Sequence, residues 1–293
     1  MYFTWTPSTG SPTLTFSGTA PDYRLLKAYD GLESMASVIM TAKSLYLDGE
    51  FIMAAPWLDN RAVTIPLMII STDGTLPTLQ AEVLALVSAL NPKYGPGILT
   101  FYNDSGAAYA LNCVNDSGSP VMDTKTKYTN EWLCTLKFKA YDPTFYNPVA
   151  SENPFQTFYN GWSFPWSYPM SYGWANTTLG CINHGNTPTW FTAVITGPVS
   201  NPVITNATTG EFLQSSQSLN AGDLLTISTK PRACTVTYTP AGGSPTNAMK
   251  TMSLNSTFFL LPPGTTNITY ASSLNIQSGS SMELTWNDRW AAI

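Results

Sequence analysis

Charge is what this sequence has least of: Asp, Glu, Lys and Arg together make 11% of its 293 residues, against about a quarter in an ordinary globular chain. The deficit is concentrated. From residue 153 to residue 210 there is no Asp, Glu, Lys or Arg, and the single histidine of the chain, His184, lies inside that stretch. General acid–base catalysis needs a positioned titratable group, so this region could offer His184 alone. It stands in Asn183-His184-Gly185-Asn186, a turn-forming sequence in which hydrogen bonding to the backbone outweighs catalysis. A Ser-His-Asp triad would have to use the same histidine, and no Gly-x-Ser-x-Gly elbow exists to present a serine.

Other absences narrow the field further. The net charge of −5 divides as 13 acids and 9 bases up to residue 150, then 5 acids and 4 bases, so neither half is basic. The densest cationic cluster, Lys125, Lys127, Lys137 and Lys139, reads as the solvated face of strands and not as a phosphate-neutralising stripe. Four cysteines, Cys113, Cys134, Cys181 and Cys234, form no C-x-x-C pair, which excludes a zinc site by spacing. Gly242-Gly243 is followed by Ser244-Pro245, so it is no phosphate-cradling loop. No cofactor is expected. The apolar runs Leu67–Ile70 and Ala81–Leu90 are too short to span a bilayer. No charged segment with an apolar core opens the sequence, so a soluble protein made inside the cell is expected.

Carboxylate pairs for glycoside hydrolysis can be assembled from Asp48 with Glu50 or from Asp223 with Glu283. Both sets lie beside turn glycines, where Asp serves turn geometry, and an enzyme is not expected. The Asn-x-Ser/Thr sites at Asn176, Asn206, Asn255 and Asn267 read as strand ends and turns.

Aromatics at 13% and abundant Ser, Thr, Asn, Gly and Pro are what the sequence does have. Low charge with many aromatics fits a subunit packed against neighbours. Short strands are read at Thr13–Phe16 and Tyr23–Leu26, with Asp-Gly turns at Asp30-Gly31 and Asp48-Gly49 and a longer strand at Arg61–Ile70. Leu79, Val83, Leu86 and Leu90 recur at helical spacing, Pro77 suits a first turn, and Asn91-Pro92 stops the run. The spacing predicts a helix over 75–91 that packs on a sheet and has no functional face of its own.

Strands follow at Ile98–Tyr102, Ala108–Val114 and Trp132–Ala140. In the last, Trp132, Cys134, Leu136, Phe138 and Ala140 face a core, and residues 115–130 make a polar loop or long hairpin. Asp142-Pro143 begins a transition, and a domain boundary is expected near residue 150. Phe155 to Tyr172 is crowded with aromatics, including Trp162 and Trp166. It reads first as packing and second as an exposed platform for a protein neighbour or a sugar ring. Beyond it, short strands such as Cys234–Thr239, Thr257–Leu261, Asn267–Tyr270 and Met282–Trp286 describe a sandwich or jelly roll.

The order of the pieces says more than the pieces. Asn183-His184-Gly185-Asn186-Thr187-Pro188, the strand opening Asn201-Pro202, Thr208-Thr209-Gly210-Glu211 and Gly222-Asp223 through Ile227 follow one another in this chain. Ahead of them stands Lys139-Ala140-Tyr141-Asp142-Pro143-Thr144-Phe145-Tyr146. Behind come Phe258-Phe259-Leu260-Leu261-Pro262-Pro263-Gly264-Thr265-Thr266-Asn267-Ile268 and Leu284-Thr285-Trp286-Asn287-Asp288-Arg289-Trp290. This succession resembles the distal tail proteins of long-tailed siphophages over about two thirds of the chain. It departs from the family pattern at Ser228, where an aspartate is usual, and at Thr265-Thr266, inserted before Asn267.

The resemblance implies a mainly β protein. Residues 1–150 would be a ring-forming β-barrel or sandwich domain with the one helix, and residues 151–293 a galectin-like β-sandwich of jelly-roll type. The implied role is structural: a hexameric ring at the virion's distal tail, assembled in the host cytoplasm, joining tail tube to tail-tip or baseplate proteins and leaving a channel for DNA. Implied partners are further copies of the chain, the tail tube protein, a tail-tip hub or tail-associated protein and receptor-binding proteins, with DNA only in transit and no membrane insertion. The alternative is a carbohydrate-binding host-adhesion module. Its candidate contacts, for sugar or for a partner, are Trp162, Trp166, Trp174, His184, Asn186 and Trp190. No catalytic or metal-binding residue is assigned.

Overall fold

The computed structural model describes the chain except residues 27–28, 34–36, 44–47, 49, 55–56, 129, 157–177 and 273–279, with the backbone alone at 123–126 and 155–156. Trp162, Trp166 and Trp174, and the aromatic stretch around them, lie outside the described residues. The chain forms two compact units, Met1–Pro148 with Trp290–Ile293, and Val149–Arg289. The sequence reading kept the chain end in the second domain; in the structure Trp290–Ile293 belong to the first unit.

Seven strands of the first unit close on themselves: Glu131–Ala140, Arg61–Ile70, Tyr23–Leu25, Leu14–Ser17, Tyr2–Thr6, Gly97–Tyr102 and Ala108–Asn115, which returns to Glu131–Ala140. The closing contact is short, Val114 opposite Lys139 and Asn115 opposite Phe138. The longest is the full antiparallel register from Glu131 opposite Ile70 to Ala140 opposite Arg61. Alternation puts Val63, Ile65, Leu67 and Ile69 against Cys134, Leu136 and Phe138 in one core, together with Phe3, Trp5 and Phe16. Cys134 is thus the small core hydrophobe its neighbours predicted, and burial pushes its thiol up to about 12. Polar residues 115–130 form the long-hairpin alternative, with a strand at Val121–Lys127.

The helix runs Leu76–Ala89. Asp73 anchors its first turn, taking hydrogen bonds from the Thr75 N–H at 2.9 Å and the Thr78 hydroxyl at 2.7 Å; these donors hold its carboxyl well below the usual range. Leu79, Leu86 and Ala89 enter the barrel core. The far end is fixed by the Trp5 indole, which donates to the Ala89 carbonyl at 2.9 Å.

Gly31 does more than turn the chain. Its φ is +93°, and a Cβ there would lie 2.0 Å from the Ala62 carbonyl oxygen, so only glycine lets this loop press on the Arg61–Ile70 strand. Arg61, 4% exposed, exploits the approach. Its guanidinium donates to the carbonyls of Gly31 at 2.5 Å, Leu32 at 3.3 Å, Pro143 at 2.7 Å and Ala291, and stands 4.8 Å from the Phe145 ring centroid. The chain's last residues are tied to the first unit through this one side chain and through Trp290, whose ring meets Tyr109 edge to face at 5.1 Å.

The second unit is a two-layer sandwich. One layer holds six strands in the order Ser151–Gln156, Ser281–Trp286, Phe191–Thr196, Leu224–Ser228, Thr235–Thr239, Thr246–Asn247; the other holds Thr178–Asn183, Gly264–Ser272, Pro202–Asn206 and Phe212–Gln214. Phe191, Ala193 and Ile195 from the first layer meet Ile204, Ile268 and Tyr270 from the second. One expectation fails: Thr257–Leu261 is not a strand. Phe259 and Leu261 are buried as the hydrophobic run requires, but only Leu261 finds a ladder partner, exchanging bonds with Thr189 at 2.8 and 2.9 Å. The run then meets Pro262-Pro263, which cannot donate to a sheet.

Candidate functional site

Three of the resembling segments, Asn183-His184-Gly185-Asn186-Thr187-Pro188, the run through Leu261 and the run through Asp288-Arg289, meet where the Thr178–Asn183 strand gives way to a loop. Asn183, buried, shapes it: its Oδ1 accepts the Gly185 N–H at 2.9 Å, while Nδ2 donates to the carbonyls of Thr187 at 3.0 Å and Leu261 at 3.1 Å. His184 follows. Its backbone N–H donates to Asp288 Oδ1 at 3.1 Å, and its ring Nδ1 lies 3.2 Å from Asp288 Oδ2. The imidazole is 69% exposed and the carboxylate 6%, so Asp288 is the buried anchor and His184 the surface group.

Gly185 lies flat on the closing segment. A Cβ there would stand 1.9 Å from the Arg289 carbonyl oxygen, a position no other residue could occupy unmoved. That carbonyl accepts the N–H groups of Asn186 at 3.0 Å and Thr187 at 3.2 Å. Thr189 completes the joint, its hydroxyl donating to the Asn287 carbonyl at 2.6 Å. Trp190, half-buried, stacks its ring on the buried Arg289 guanidinium at 3.8 Å, with Lys230 Nζ 5.4 Å from the same ring. Of the sequence-derived contact residues, His184 is held by Asp288, and Asn186 and Trp190 by the adjacent Arg289.

Asp288 and Arg289 were not singled out as site residues. The signal was present, because Trp286-Asn287-Asp288-Arg289-Trp290 was one of the resembling segments, yet nothing in the spacing tells that it meets His184 across 104 positions.

The other motifs are turn chemistry of the same kind. Asn206 accepts the N–H groups of Thr208 at 3.0 Å and Thr209 at 3.3 Å, closing the Thr208-Thr209-Gly210-Glu211 turn. Asp223 accepts from the Asn220 N–H at 2.9 Å, the Ala241 N–H at 2.8 Å and the Tyr238 hydroxyl at 2.9 Å. The backbone N–H groups of Ala241 and Asn220 hold its carboxyl below the usual range. In the first unit, Glu50 is bonded by the Thr41 hydroxyl at 2.7 Å and paired with Lys43 at 3.3 Å. Among the described residues no group of three or more His, Cys, Asp or Glu could hold a metal ion, and no helix is long and apolar enough to cross a membrane.

Residues 184–290 match the family model for the siphovirus-type tail component, C-terminal domain. That span contains His184, Gly185, Asp288 and Arg289. No curated protein sequence matches the chain. Among solved structures, the chain is similar to the Dit protein of phage SPP1, described as a paradigm of the hub adsorption apparatus in phages infecting Gram-positive bacteria, with a TM-score of 0.69, 13% identity and 98% of each chain covered. It is also similar to a chain of the phage P2 baseplate in its activated conformation with Ca, at a TM-score of 0.53 and 11% identity. The corresponding structure with Sr gives 0.54 and 10%, and both cover 100% of this chain and 99% of theirs. At these identities the likeness shows a common fold, mainly β with a closed barrel and one helix.

Proposed function

We propose, from the premise that residues 184–290 are the C-terminal domain of a siphovirus-type tail component, that this chain is a structural hub of a phage tail tip. The first unit forms a closed ring of six copies that joins the tail tube to the tip proteins, and its lumen lets DNA pass. One observation carries the reading. The family match and the full-length likeness to a hub protein fall on a chain whose motif residues Asp288, Asn206 and Asp223 are spent on turns and inter-strand fasteners. Such residues build a scaffold. They present no buried titratable pair to a substrate among the described residues, and they leave the protein's surface, low in charge, to make its contacts.

A lumen wall that passes DNA has to be neutral or acidic, since a basic stripe would hold phosphates; the net charge of −5 agrees with this. The sugar-binding alternative gains less support, because one face of the half-buried Trp190 ring is already taken by the buried Arg289 guanidinium. Antibody raised against the purified chain, coupled to gold, should mark the tip of the tail in virions of the phage that encodes it. Label on the capsid, or none on intact and disrupted virions, would sink the proposal.

A further inference from the structure

Helix Leu76–Ala89 has an outer side that ought to be charged. Solvent-facing helix surfaces normally carry charged and polar residues, yet the one charged residue in this helix is Glu82. Glu82 is half-buried, and the Tyr23 hydroxyl reaches its backbone carbonyl at 2.9 Å and its carboxylate at 3.2 Å. The outer stripe holds instead Leu76, Leu84 and Val87, which are 42%, 70% and 44% exposed, with the uncharged Gln80 exposed among them. At 3.6 residues per turn the three apolar residues fall within an arc of about 80°. Leu79, Leu86 and Ala89 pack into the core, as the helical spacing predicts, and Leu76, Leu84 and Val87 lie outside it.

A second apolar patch lies on the same unit. Between Tyr23–Leu25 and Arg61–Ile70 the chain makes two short ribbons, Ser37–Val38 with Trp57–Leu58 and Thr41–Lys43 with Glu50–Ile52, and neither joins the barrel sheet. Two-stranded ribbons are marginal in water on their own. This arm exposes Ile39, Met40, Phe51, Ile52, Met53 and Trp57, each between 47% and 61%. Six large apolar side chains half open to solvent amount to roughly 500–700 Å², at the upper end of or above the largest patch on a typical monomer, about 300–600 Å², and close to the ~800 Å² per partner of a stable interface. Arm and helix stripe are both open within one chain, so neither covers the other in cis.

We propose that the ribbon arm of one copy covers the outer stripe of helix Leu76–Ala89 on the next copy. The inference rests on the ring reading above: a ring of more than two subunits closes through a heterologous contact, with two different patches on each subunit. The first unit supplies two such apolar patches, and the arm's exposed Lys43 and Glu50 pair with each other at 3.3 Å.

The test is site-directed cross-linking in the full chain, on a Cys234→Ser background, since Cys113, Cys134 and Cys181 are buried. Phe51→Cys and Leu84→Cys are made as separate, differently tagged chains, each checked for a near-ultraviolet spectrum like that of the parent, mixed, and treated with a short bismaleimide. A covalent mixed dimer, several-fold above the product of either variant alone, is the expected result, and the double variant should give a ladder ending at six. A product from Phe51→Cys alone would mean that arms meet arms and would overturn the inference. Absence of mixed product up to millimolar protein would overturn it too; if light scattering of the same sample shows a hexamer, the ring reading survives. A mixed product whose ladder runs past six without stopping supports the arm-on-helix contact and overturns the closed ring.

Discussion

The backbone N–H and the ring of His184 both bind the carboxylate of Asp288, at 3.1 and 3.2 Å, and so fasten a loop to a strand end 104 residues further along the chain. The two residues contribute unequally. Asp288 is buried and supplies the acceptors; the histidine ring is mostly in water, where a charge pair is worth little.

Asp288→Ala is therefore expected to lower the stability of the second unit by about 1.5–3 kcal/mol, the range for hydrogen bonds to a buried charged group. His184→Ala keeps the backbone bond and should cost no more than about 1 kcal/mol. Urea denaturation of the full chain checks the ranking, and equal effects would refute this division of labour.

Two glycines five positions apart should respond with opposite signs. Gly185→Ala drives a Cβ into the Arg289 carbonyl and should cost about 1–3 kcal/mol or more. Gly180, in the Thr178–Asn183 strand, has nothing closer than 3.7 Å to such a Cβ, so Gly180→Ala should be neutral or stabilising by about 0.5 kcal/mol. Thermal melting of both variants reads the difference.

Asp223 gives the second unit a pH dependence. Its folded pKa lies below its unfolded value because the N–H groups of Ala241 and Asn220 favour the carboxylate. The stabilisation is then complete above the unfolded value of about 3.9 and is lost as pH falls through the folded pKa. Melting temperatures of the parent and of Asp223→Asn should differ at pH 7 and converge as pH drops below about 4; a gap that stays constant with pH would show that the carboxylate charge is not what matters.

Arg61 holds the chain end. Burial lowers its pKa, yet a guanidinium stays protonated, and removing it strands several buried carbonyls at about 1–3 kcal/mol each. Arg61→Ala should destabilise the first unit by more than about 3 kcal/mol, and Arg61→Lys should not restore it, since one ammonium cannot reproduce the planar fork. Deleting residues 290–293 should lower the same transition by a smaller amount, as followed by denaturant titration.

How much of this was legible in the sequence depended on whether the cause was local. The helix announced itself through Leu79, Val83, Leu86 and Leu90, and the Trp132–Ala140 strand through its alternation, because periodicity is a local record of burial. Thr257–Leu261 misled for the same reason. Its apolar run records burial correctly, but strand formation needs a partner edge, which only Leu261 has. Gly31 reads in the sequence as half of an Asp-Gly turn, while the structure also needs it for a close approach to Ala62, a contact that no neighbour in sequence encodes.

The candidate site was half legible. His184, Asn186 and Trp190 could be read as members of one loop, but Asp288 and Arg289, which bring them together, belong to the other end of the unit. The open stripe of Leu76, Leu84 and Val87 was hidden by the stronger stripe beside it, since a helix apolar on both sides still scans as a core helix.

Ring assembly can be read by light scattering behind size-exclusion chromatography, followed by negative-stain imaging of the same fraction. A ring of six copies is expected as a particle of about six times the 31.8 kDa chain mass, with a central hole in end-on views. A mass of one chain at every concentration, with no annular particles on the grid, would rule the ring out.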